Sequence, residues 1–502
     1  MIAETRGSYR RILKSSSIIG GASFINIAVG LLRTKVLAIL LGPAGVGLTS
    51  LYTGFLSTAG TFASMGVGTV GTRQIAEAFS KDDSRAILVA RRAMFWGTML
   101  LAATGALTVW SLRTVLAVYV LGNAAHSRAI GWLSLGVALT VAAASQGALI
   151  QGMRRIGDLA RLTVFSSLLN TVLGIALLWR WGNAGLVGYV LIGPLMTFVL
   201  GHVYVSRLPK AGSDTVTLEE VTREWTTLLR LGLAFVGAGL VTSLIQLWIR
   251  VDVGRVLGTA SLGQYQAAWT ISMQYVSFVL TAMASDYYPR LTGVIHDPKA
   301  AGRLVNEQTE IAILLSTPVF IAMMAMAPWV MHLLYSASFA PAVEILRWQV
   351  LGDVLKVASW PLGFVILAAG DGRTFFWSES VTAVVTIALI AGFVSFIGLR
   401  ITGIAYLATY AFYLPLVYWL ARRRIGFHWS RSVLRLTAMA FATCVGVGIL
   451  ASVSRWGIWL GCLLTVWFAV FALGRISQMG ELSGPVGRLG KMARHFTWES
   501  KS

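Results

Sequence analysis

Charged side chains inside long apolar runs are the residues of this sequence best suited to binding an ion or an anionic ligand. Arg33 and Lys35 lie near the end of the first apolar run, and the stretch 344–356 carries four ionisable groups. An ionisable side chain within a membrane span is costly, so it indicates a functional site by default. Snorkelling of Arg33 and Lys35 toward the interface remains open as a structural alternative.

Two of the ionisable groups in this stretch are spaced to share one helix face. Asp353 lies near the middle of its apolar run, three residues before Lys356. Desolvation penalises a carboxylate there, which makes Asp353 a candidate for coupling transport to a proton or a cation. Simple neutralisation of Asp353 by Lys356 fits the spacing equally well. Glu379, about one turn inside the next run, is a weaker ion-coupling candidate.

An internal repeat relates the two halves of the chain. Residues 32–35 match 249–252 at an offset of 217, and residues 41–48 match 257–264 at an offset of 216. Six apolar runs in each half would give both halves the same orientation. The pattern therefore predicts parallel repeats related by an axis along the membrane normal, an arrangement common in transporters.

The repeat also places a second pair of charges at the depth of the first. It predicts that the seventh span ends near Leu257, so that Arg250 and Asp252 lie within it. Cationic positions facing each other across a two-fold cavity would suit an anionic head group, and Asp252 is a further ion-coupling candidate. A count of loop charges instead places Arg250 outside the membrane, so its depth stays open.

The composition is that of an all-α integral membrane protein. Of 502 residues, 56% are hydrophobic and only 12% are charged, against about 25% charged in soluble domains. Apolar runs of about 20 residues recur along the chain, the length that a helix needs to cross a bilayer. The alternating pattern of an outer-membrane barrel is absent, and only helices or closed barrels satisfy their backbone groups in lipid. A helix bundle is therefore expected.

About fourteen transmembrane helices are predicted, arranged as two six-helix lobes and two C-terminal helices. The segment 207–229 is the longest polar one, and its pattern at 217–220 predicts a capping box that opens a linker helix at the membrane interface. The predicted organisation is an N-terminal lobe, a cytoplasmic linker, a C-terminal lobe, two extra spans and a cytoplasmic tail, at 1–206, 207–229, 230–425, 426–474 and 475–502.

The excess of basic residues indicates membrane topology rather than nucleic-acid binding. The chain has 41 Lys plus Arg against 20 Asp plus Glu, for a net charge of +21. Thirty of the 41 fall on one side when the loops are counted alternately, seven fall on the other, and four lie inside spans. Basic residues collect in cytoplasmic loops, so both termini are expected in the cytoplasm. No nucleic-acid motif is present.

Cofactors and metals are not expected. The two cysteines, Cys444 and Cys462, lie in apolar runs, and the six histidines lack metal-ligand spacing. The sequence contains no P-loop, which argues against ATP hydrolysis. The longest outward loop, about 111–127, is too short for a catalytic domain, so the chain is not expected to be an enzyme.

Several motifs resemble one transporter family. Residues 347–357, with 339–342 before them, are similar to the corresponding stretch of the Wzx-type flippases, especially those that act on lipid III in enterobacterial common antigen assembly. Residues 35–38 and 41–48 resemble the first span and loop of the same family. These proteins belong to the multidrug/oligosaccharidyl-lipid/polysaccharide exporter superfamily. The last two spans extend beyond the twelve of the similar members.

The resemblance implies two six-helix lobes that alternate between inward-open and outward-open states in the bacterial inner membrane. The implied substrate is an undecaprenyl-pyrophosphate-linked oligosaccharide, carried from the cytoplasmic to the periplasmic leaflet through a cationic cavity while its lipid tail stays in the bilayer. Membrane lipids and other polysaccharide-assembly proteins are the implied partners. Five residues fit the substrate site by position: Arg33, Lys35, Arg250, Arg347 and Lys356.

Two other functions remain as alternatives. A drug or small-solute exporter of the same superfamily would need less cationic charge in its cavity, which Arg33, Lys35 and Arg250 argue against. A membrane glycosyltransferase or polymerase acting on the same lipid-linked sugars would present a large outward loop, and every outward loop here is short.

Overall fold

The fold is a bundle of helices that follow the apolar runs. The computed structural model describes residues 2–81, 83–209 and 216–479. Linker residues 210–215 and the tail from 480 onward lie outside the described residues. Within the described ranges the chain contains helices and no strand, and the α-helices are α1 (Ile2–Ser64), α2 (Val67–Ser80), α3 (Ser84–Ser111), α4 (Arg113–Leu121), α5 (Ser127–Gly152), α6 (Ile156–Trp181), α7 (Leu186–Ser206), α8 (Leu218–Val294), α9 (Pro298–Leu334), α10 (Ala342–Ala368), α11 (Gly372–Ile397), α12 (Ile401–Ile425), α13 (Arg431–Val453) and α14 (Arg455–Met479).

Two long helices, α1 and α8, each break at a glycine. Gly42 has φ 62° and ψ −169°, and Gly258 has φ 85° and ψ 164°. Glycine adopts a positive φ without the steric penalty of a Cβ atom. The sequence predicts a loop at each place, but the chain turns within one residue instead. The two glycines are 216 residues apart, so the kinks follow the repeat, and Gly258 ends the seventh span next to the predicted Leu257.

The helices account for all the predicted spans. Divided at Gly42 and Gly258, the described helices provide a segment for each of the fourteen. Nine described helical stretches are long and apolar enough to cross a membrane, and three of these, of 45, 51 and 54 residues, are long enough to cross twice. The predicted loop 111–127 contains the short helix α4. The chain is a multi-pass membrane protein.

The helices group into two compact units. Unit 1 comprises residues 1–263 and unit 2 comprises residues 264–502. In unit 1, α5 packs against α1, α2, α3 and α7; in unit 2, α10 packs against α9, α11, α12 and α13. The seventh span, the part of α8 before Gly258, therefore groups with the first six. The lobe limits 1–206 and 230–425 stay a prediction.

The linker helix begins where its capping pattern predicts. The Thr217 backbone N–H donates to Glu220 Oε2 at 2.9 Å, and the Glu220 backbone N–H donates to Thr217 Oγ1 at 3.3 Å. This reciprocal pair satisfies two N–H groups that the first helical turn leaves open. The helix then continues without a break into the seventh span, so the linker and that span form one rod.

The two C-terminal helices are each long enough to cross a membrane. They contain 23 and 25 residues, about 35 Å each at 1.5 Å per residue. Glu310 of α9 connects them: its Oε1 accepts hydrogen bonds at 3.1 Å from Ser432 Oγ of α13 and from Arg475 Nε of α14. The Glu310 side chain is only 9% exposed, so this contact ties both helices to unit 2 from within.

A second pair of repeat-related glycines permits close backbone packing within unit 1. A Cβ atom at Gly47 would collide with the carbonyl oxygen of Thr259, and a Cβ atom at Gly263 would collide with that of Pro43. Because the obstructing atoms are backbone atoms, no side chain can move aside to make room. The backbones of α1 and α8 therefore approach each other closely just after their kinks. Glycine at both positions is what permits this approach.

Gly47→Ala is expected to lower the thermal unfolding temperature of the purified protein, because the added methyl group must push two backbones apart. Gly147→Ala is the matched control, since a Cβ atom there meets nothing within 4 Å. In a helix, alanine is favoured over glycine by roughly 0.5–1 kcal/mol, so the control should be neutral or stabilising. Equal unfolding temperatures for the two variants would show that the close packing at Gly47 contributes nothing.

Candidate functional site

Asp353, in the middle of α10, is a fully buried ionisable group of unit 2. Its side chain is fully buried and accepts three hydrogen bonds from hydroxyl groups. Oδ2 accepts from Ser272 Oγ at 2.6 Å and from the Tyr275 hydroxyl at 2.8 Å, both on α8. Oδ1 accepts from the Tyr406 hydroxyl of α12 at 2.7 Å. Hydroxyl groups from two helices, α8 and α12, thus converge on one carboxylate of α10.

Lys356 lies beside this carboxylate without pairing with it directly. No Asp353–Lys356 ion pair within 4 Å occurs among the described residues. Instead, Lys356 Nζ lies 3.4 Å from the Tyr406 hydroxyl, which itself donates to Asp353. The ammonium also lies 5.8 Å from the ring centroid of Tyr406 and 5.5 Å from that of Tyr410, within the range of cation–π attraction. Tyr406 therefore bridges the two charges.

Lys356 and Glu379 line one cavity within unit 2. The cavity has a volume of about 280 Å³ and is bounded by α10, α11 and α12. Glu379 Oε1 accepts a hydrogen bond from the Tyr413 hydroxyl at 2.7 Å. Tyr410 and Tyr413 also line the cavity, and their ring centroids lie 6.1 Å apart. The polar groups thus form a row running from buried Asp353 through Tyr406, Lys356 and Tyr410 toward Glu379.

The tyrosines of α12 are functional candidates that the sequence reading missed. Tyr406, Tyr410 and Tyr413 are spaced i, i+4 and i+7, so they project from one face of the helix. This spacing was the available signal, but tyrosine in an apolar run is also common as an interface residue. The Tyr406 and Tyr413 hydroxyl groups contact ionisable groups of α10 and α11, and the Tyr410 ring lies near Lys356. The pattern of a single helix does not predict these contacts.

Arg347 lies apart from the other candidates of unit 2. Nine residues separate it from Lys356, which is two and a half turns, so the two side chains point to opposite sides of α10. Arg347 lines a separate cavity of about 710 Å³ that shares no lining residue with the Lys356 cavity. Unit 2 therefore brings Asp353, Lys356 and Glu379 together and leaves Arg347 in different surroundings.

In unit 1, the candidates on α1 are half-buried. Arg33 lies nine residues before the Gly42 kink, and Arg250 lies eight residues before the Gly258 kink. The Arg33 guanidinium is within electrostatic reach of the Tyr189 hydroxyl on α7. Lys35 is half-buried two residues further along α1. The two arginines thus lie at similar distances before the two kinks, within one residue of each other in the repeat.

Arg250 packs on a glycine that the sequence reading did not single out. A Cβ atom at Gly54 would lie 2.8 Å from Arg250 Nη1 and 3.3 Å from its Cδ atom. Gly54 lies on the second segment of α1 and is itself buried. The absence of a side chain at this position creates the space in which the guanidinium lies, within the helical segment that ends at Gly258.

Asp252 carries an oxygen atom that lacks a hydrogen-bond partner. Its Oδ2 is buried, and no donor reaches it among the described residues. Arg255, one turn further along α8, donates hydrogen bonds to the backbone carbonyl groups of Val118 and Tyr119 instead. A buried, unsatisfied carboxylate oxygen is costly, so Asp252 is suited to receive a proton or a cation.

The candidate residues of the two units, as far as the structure describes them, do not form a metal-binding cluster. Among the described residues, no group of three or more His, Cys, Asp or Glu side chains is placed to hold a metal ion. Asp353 is surrounded by hydroxyl groups rather than further carboxylates. The carboxylate and hydroxyl oxygen atoms of this site are the ligands that a hard monovalent cation would contact, and the carboxylate could instead take up a proton. The side chains that carry them lie on α8, α10 and α12.

Comparison with known proteins gives a family and several relatives. A family described as polysaccharide biosynthesis proteins matches residues 36–344, more than half of the chain. The Lipid III flippase of Escherichia coli (strain K12) is 23% identical over 434 residues, which cover 82% of this chain and 99% of that protein. The Lipid III flippase of Shigella flexneri matches to the same extent.

Solved structures share the fold. An inward-facing multidrug resistance MATE family transporter of the MOP superfamily matches with a TM-score of 0.67 and 16% identity, covering 80% of this chain and 94% of that one. The lipid II flippase MurJ, in an inward closed conformation, matches with a TM-score of 0.67 and 11% identity, covering 92% and 98%. The all-helical transporter fold predicted from the sequence is confirmed.

Proposed function

Because this chain belongs to the family of polysaccharide biosynthesis proteins, we propose that it is a flippase for an undecaprenyl-pyrophosphate-linked oligosaccharide. The substrate moves from the cytoplasmic to the periplasmic leaflet by alternating access, and no covalent bond is made or broken. The relatives named Lipid III flippase, which this chain matches over 99% of their length, support this substrate class. Other polysaccharide-assembly proteins are the proposed partners that supply and receive the substrate.

The observation that carries the proposal is the placement of arginine in the helical segments of unit 1 that lead into the two glycine kinks. Arg33 and Arg250 precede equivalent glycine kinks, and Lys35 lies next to the first. A guanidinium binds phosphate oxygens through two parallel N–H donors, and such charge-assisted bonds are stronger than neutral ones. We assign these three residues to the pyrophosphate. Lys356 is a proposed contact from unit 2, whereas Arg347, which lines a separate cavity, is not assigned to the pyrophosphate.

The drive for transport is proposed to come from ions bound at the acidic positions. Asp353 has the most developed surroundings, with three hydroxyl groups and a nearby ammonium. Glu379 shares a cavity with Lys356, so a change of charge at either would alter the electrostatic field in that space. Asp252 offers its unsatisfied oxygen in unit 1. Each of the three is a candidate to bind a proton or a cation during the cycle.

The proposed location is the bacterial inner membrane, with both termini in the cytoplasm. The alternation of basic loops supports this orientation, because Lys and Arg are retained on the cytoplasmic side. Since MATE transporters share the fold, the fold alone does not separate a flippase from a drug exporter. The family match and the arginines within the spans favour the flippase.

Expression of this chain in a bacterium without its own lipid III and O-antigen flippases is expected to restore surface glycan. It is also expected to clear the lipid-linked intermediate that accumulates in the host. Both are measured by glycan labelling at the cell surface and by mass spectrometry of extracted lipids. Arg33→Ala is the matched variant and should leave the intermediate in place while the protein reaches the membrane in normal amount.

The same strain distinguishes a flippase from a drug exporter. Drug susceptibility is measured in parallel, in cells that also carry a panel of lipid-linked donors. Export of drugs, with every lipid-linked intermediate persisting and the protein correctly inserted, would replace the flippase proposal with a small-solute exporter. Normal glycan export by Arg33→Ala would remove the cationic role assigned to that position.

A further inference from the structure

A second cavity in unit 2 lies at one end of the bundle, where α9 and α13 end and α10 and α12 begin. Its volume of about 710 Å³ falls in the range of small-molecule sites, about 300–1,000 Å³. It is separate from the Lys356 cavity, because the two lie on opposite sides of α10. Nothing in the proposed transport cycle requires it.

The polar part of this cavity has an excess of positive charge. Glu344 and Arg347 lie in the first two turns of α10, and Arg400 immediately precedes α12. Arg400 Nε pairs with Glu344 Oε2 at 2.8 Å. Arg347 forms no ion pair within 4 Å in the described part of the chain, and its buried Nε atom has no hydrogen-bond partner. Glu344 is thus the one carboxylate among the described residues that line the cavity, and it faces two guanidinium groups, so the cluster keeps a net positive charge.

The rest of the cavity is apolar and lies deeper. Arg347 is five residues from the start of α10, about 8 Å along the helix. Phe441 is twelve residues from the end of α13, about 18 Å along that helix. Val445 and Leu407 line the wall between these depths. The cavity thus changes from cationic near the bundle end to apolar toward the bundle centre.

We propose that this cavity binds an anionic glycerophospholipid of the surrounding leaflet. Its phosphate contacts Arg347, and one acyl chain lies along α13 against Leu407, Phe441 and Val445. Excess positive charge within a span is costly, and a lipid phosphate supplies the missing negative charge near the end of the bundle. The lipid would fill the space between α13 and the pair α10 and α12, which gives the additional helix α13 a role in holding a structural lipid.

The test compares two lipids on the purified full-length protein in detergent. Palmitoyl-oleoyl-phosphatidylglycerol is expected to raise the unfolding temperature by several degrees more than palmitoyl-oleoyl-phosphatidylcholine, and native mass spectrometry should show the former retained. Equal effects of the two lipids on the wild-type protein would overturn the proposal. So would an equal rise with inorganic phosphate alone, which would indicate a site for a small anion. This comparison needs no variant.

Three variants locate the effect. Arg347→Gln is expected to lose the advantage of phosphatidylglycerol over phosphatidylcholine. Arg128→Gln removes the same charge from an exposed position in unit 1 and should keep that advantage. Val445→Phe narrows the apolar part and should weaken retention of phosphatidylglycerol. Persistence of the full lipid preference in Arg347→Gln would overturn the assignment. None of these readouts depends on transport, so they stand apart from the test of the flippase function.

Discussion

Asp353→Asn is expected to abolish export of the lipid-linked oligosaccharide while the protein still inserts in the membrane. The amide keeps the shape of the carboxylate but can neither carry its charge nor take up a proton or cation in its place. It also turns an N–H₂ group toward hydroxyl donors, and each buried polar group left unsatisfied costs about 1–3 kcal/mol. Surface glycan and the unfolding temperature of the purified variant are measured together, so that transport is separated from stability.

A double variant decides between coupling and simple neutralisation. Asp353→Asn combined with Lys356→Met removes both charges from the row that Tyr406 bridges. If Asp353 serves only to balance Lys356, the double variant should recover stability and export relative to Asp353→Asn. The coupling proposal expects stability to recover and export to remain absent, and Lys356→Met alone, measured in parallel, shows how much export is lost with the proposed substrate contact. Recovery of export in the double variant would therefore assign the pair to structure.

The elements that were predictable from the sequence are those set by local patterns. Apolar length gives each span, because a helix needs about 20 residues to cross the bilayer core. The capping box at 217–220 gives the start of the linker helix, because its hydrogen bonds are made within one turn. The repeat offset of 216 gives the end of the seventh span near Gly258, since the same turn chemistry recurs in both halves.

Which residues meet in each site depends on how the helices pack against one another. The sequence pattern of a single helix does not contain that information. Asp353 and Lys356 were both identifiable as costly charges, but the hydroxyl that joins them comes from Tyr406, some fifty residues away. Arg347 and Lys356 look alike in the sequence, yet they line different cavities. Helical periodicity places them on opposite faces, but only the neighbouring helices show what each face contacts.

At the arginine site of unit 1, too, the charged residue was predictable and the space around it was not. Arg250 was recognisable as a candidate binding residue because the repeat pairs it with Arg33. Its depth, however, depended on where the seventh span ends. Gly54 gave no signal at all, because a glycine within a span is ordinarily explained by close helix packing. In the structure its missing side chain is what admits the Arg250 guanidinium. A binding group and the space it occupies thus come from different parts of the chain.

Arg250→Ala is accordingly expected to reduce export at least tenfold. A hydrogen bond to a charged group contributes about 1.5–3 kcal/mol, and 1.4 kcal/mol corresponds to a tenfold change in affinity. Arg250→Lys should retain part of the activity, since it keeps the charge but loses the paired N–H donors that match a phosphate. Glycan export is measured at equal membrane levels of each variant. Full export by Arg250→Ala would contradict a direct role in binding the pyrophosphate.

Gly54→Ala tests whether the position of the guanidinium matters, with the charge intact. The new methyl group would lie 2.8 Å from Arg250 Nη1, and the end of that flexible side chain can move aside without disturbing the backbone. Stability should therefore be nearly unchanged while export falls, as it does for Arg250→Ala. Gly68→Ala is the control, because its nearest neighbours lie 3.8 Å away. If Gly54→Ala exports normally, Arg250 acts through its charge alone, and the space opposite Gly54 is a packing feature.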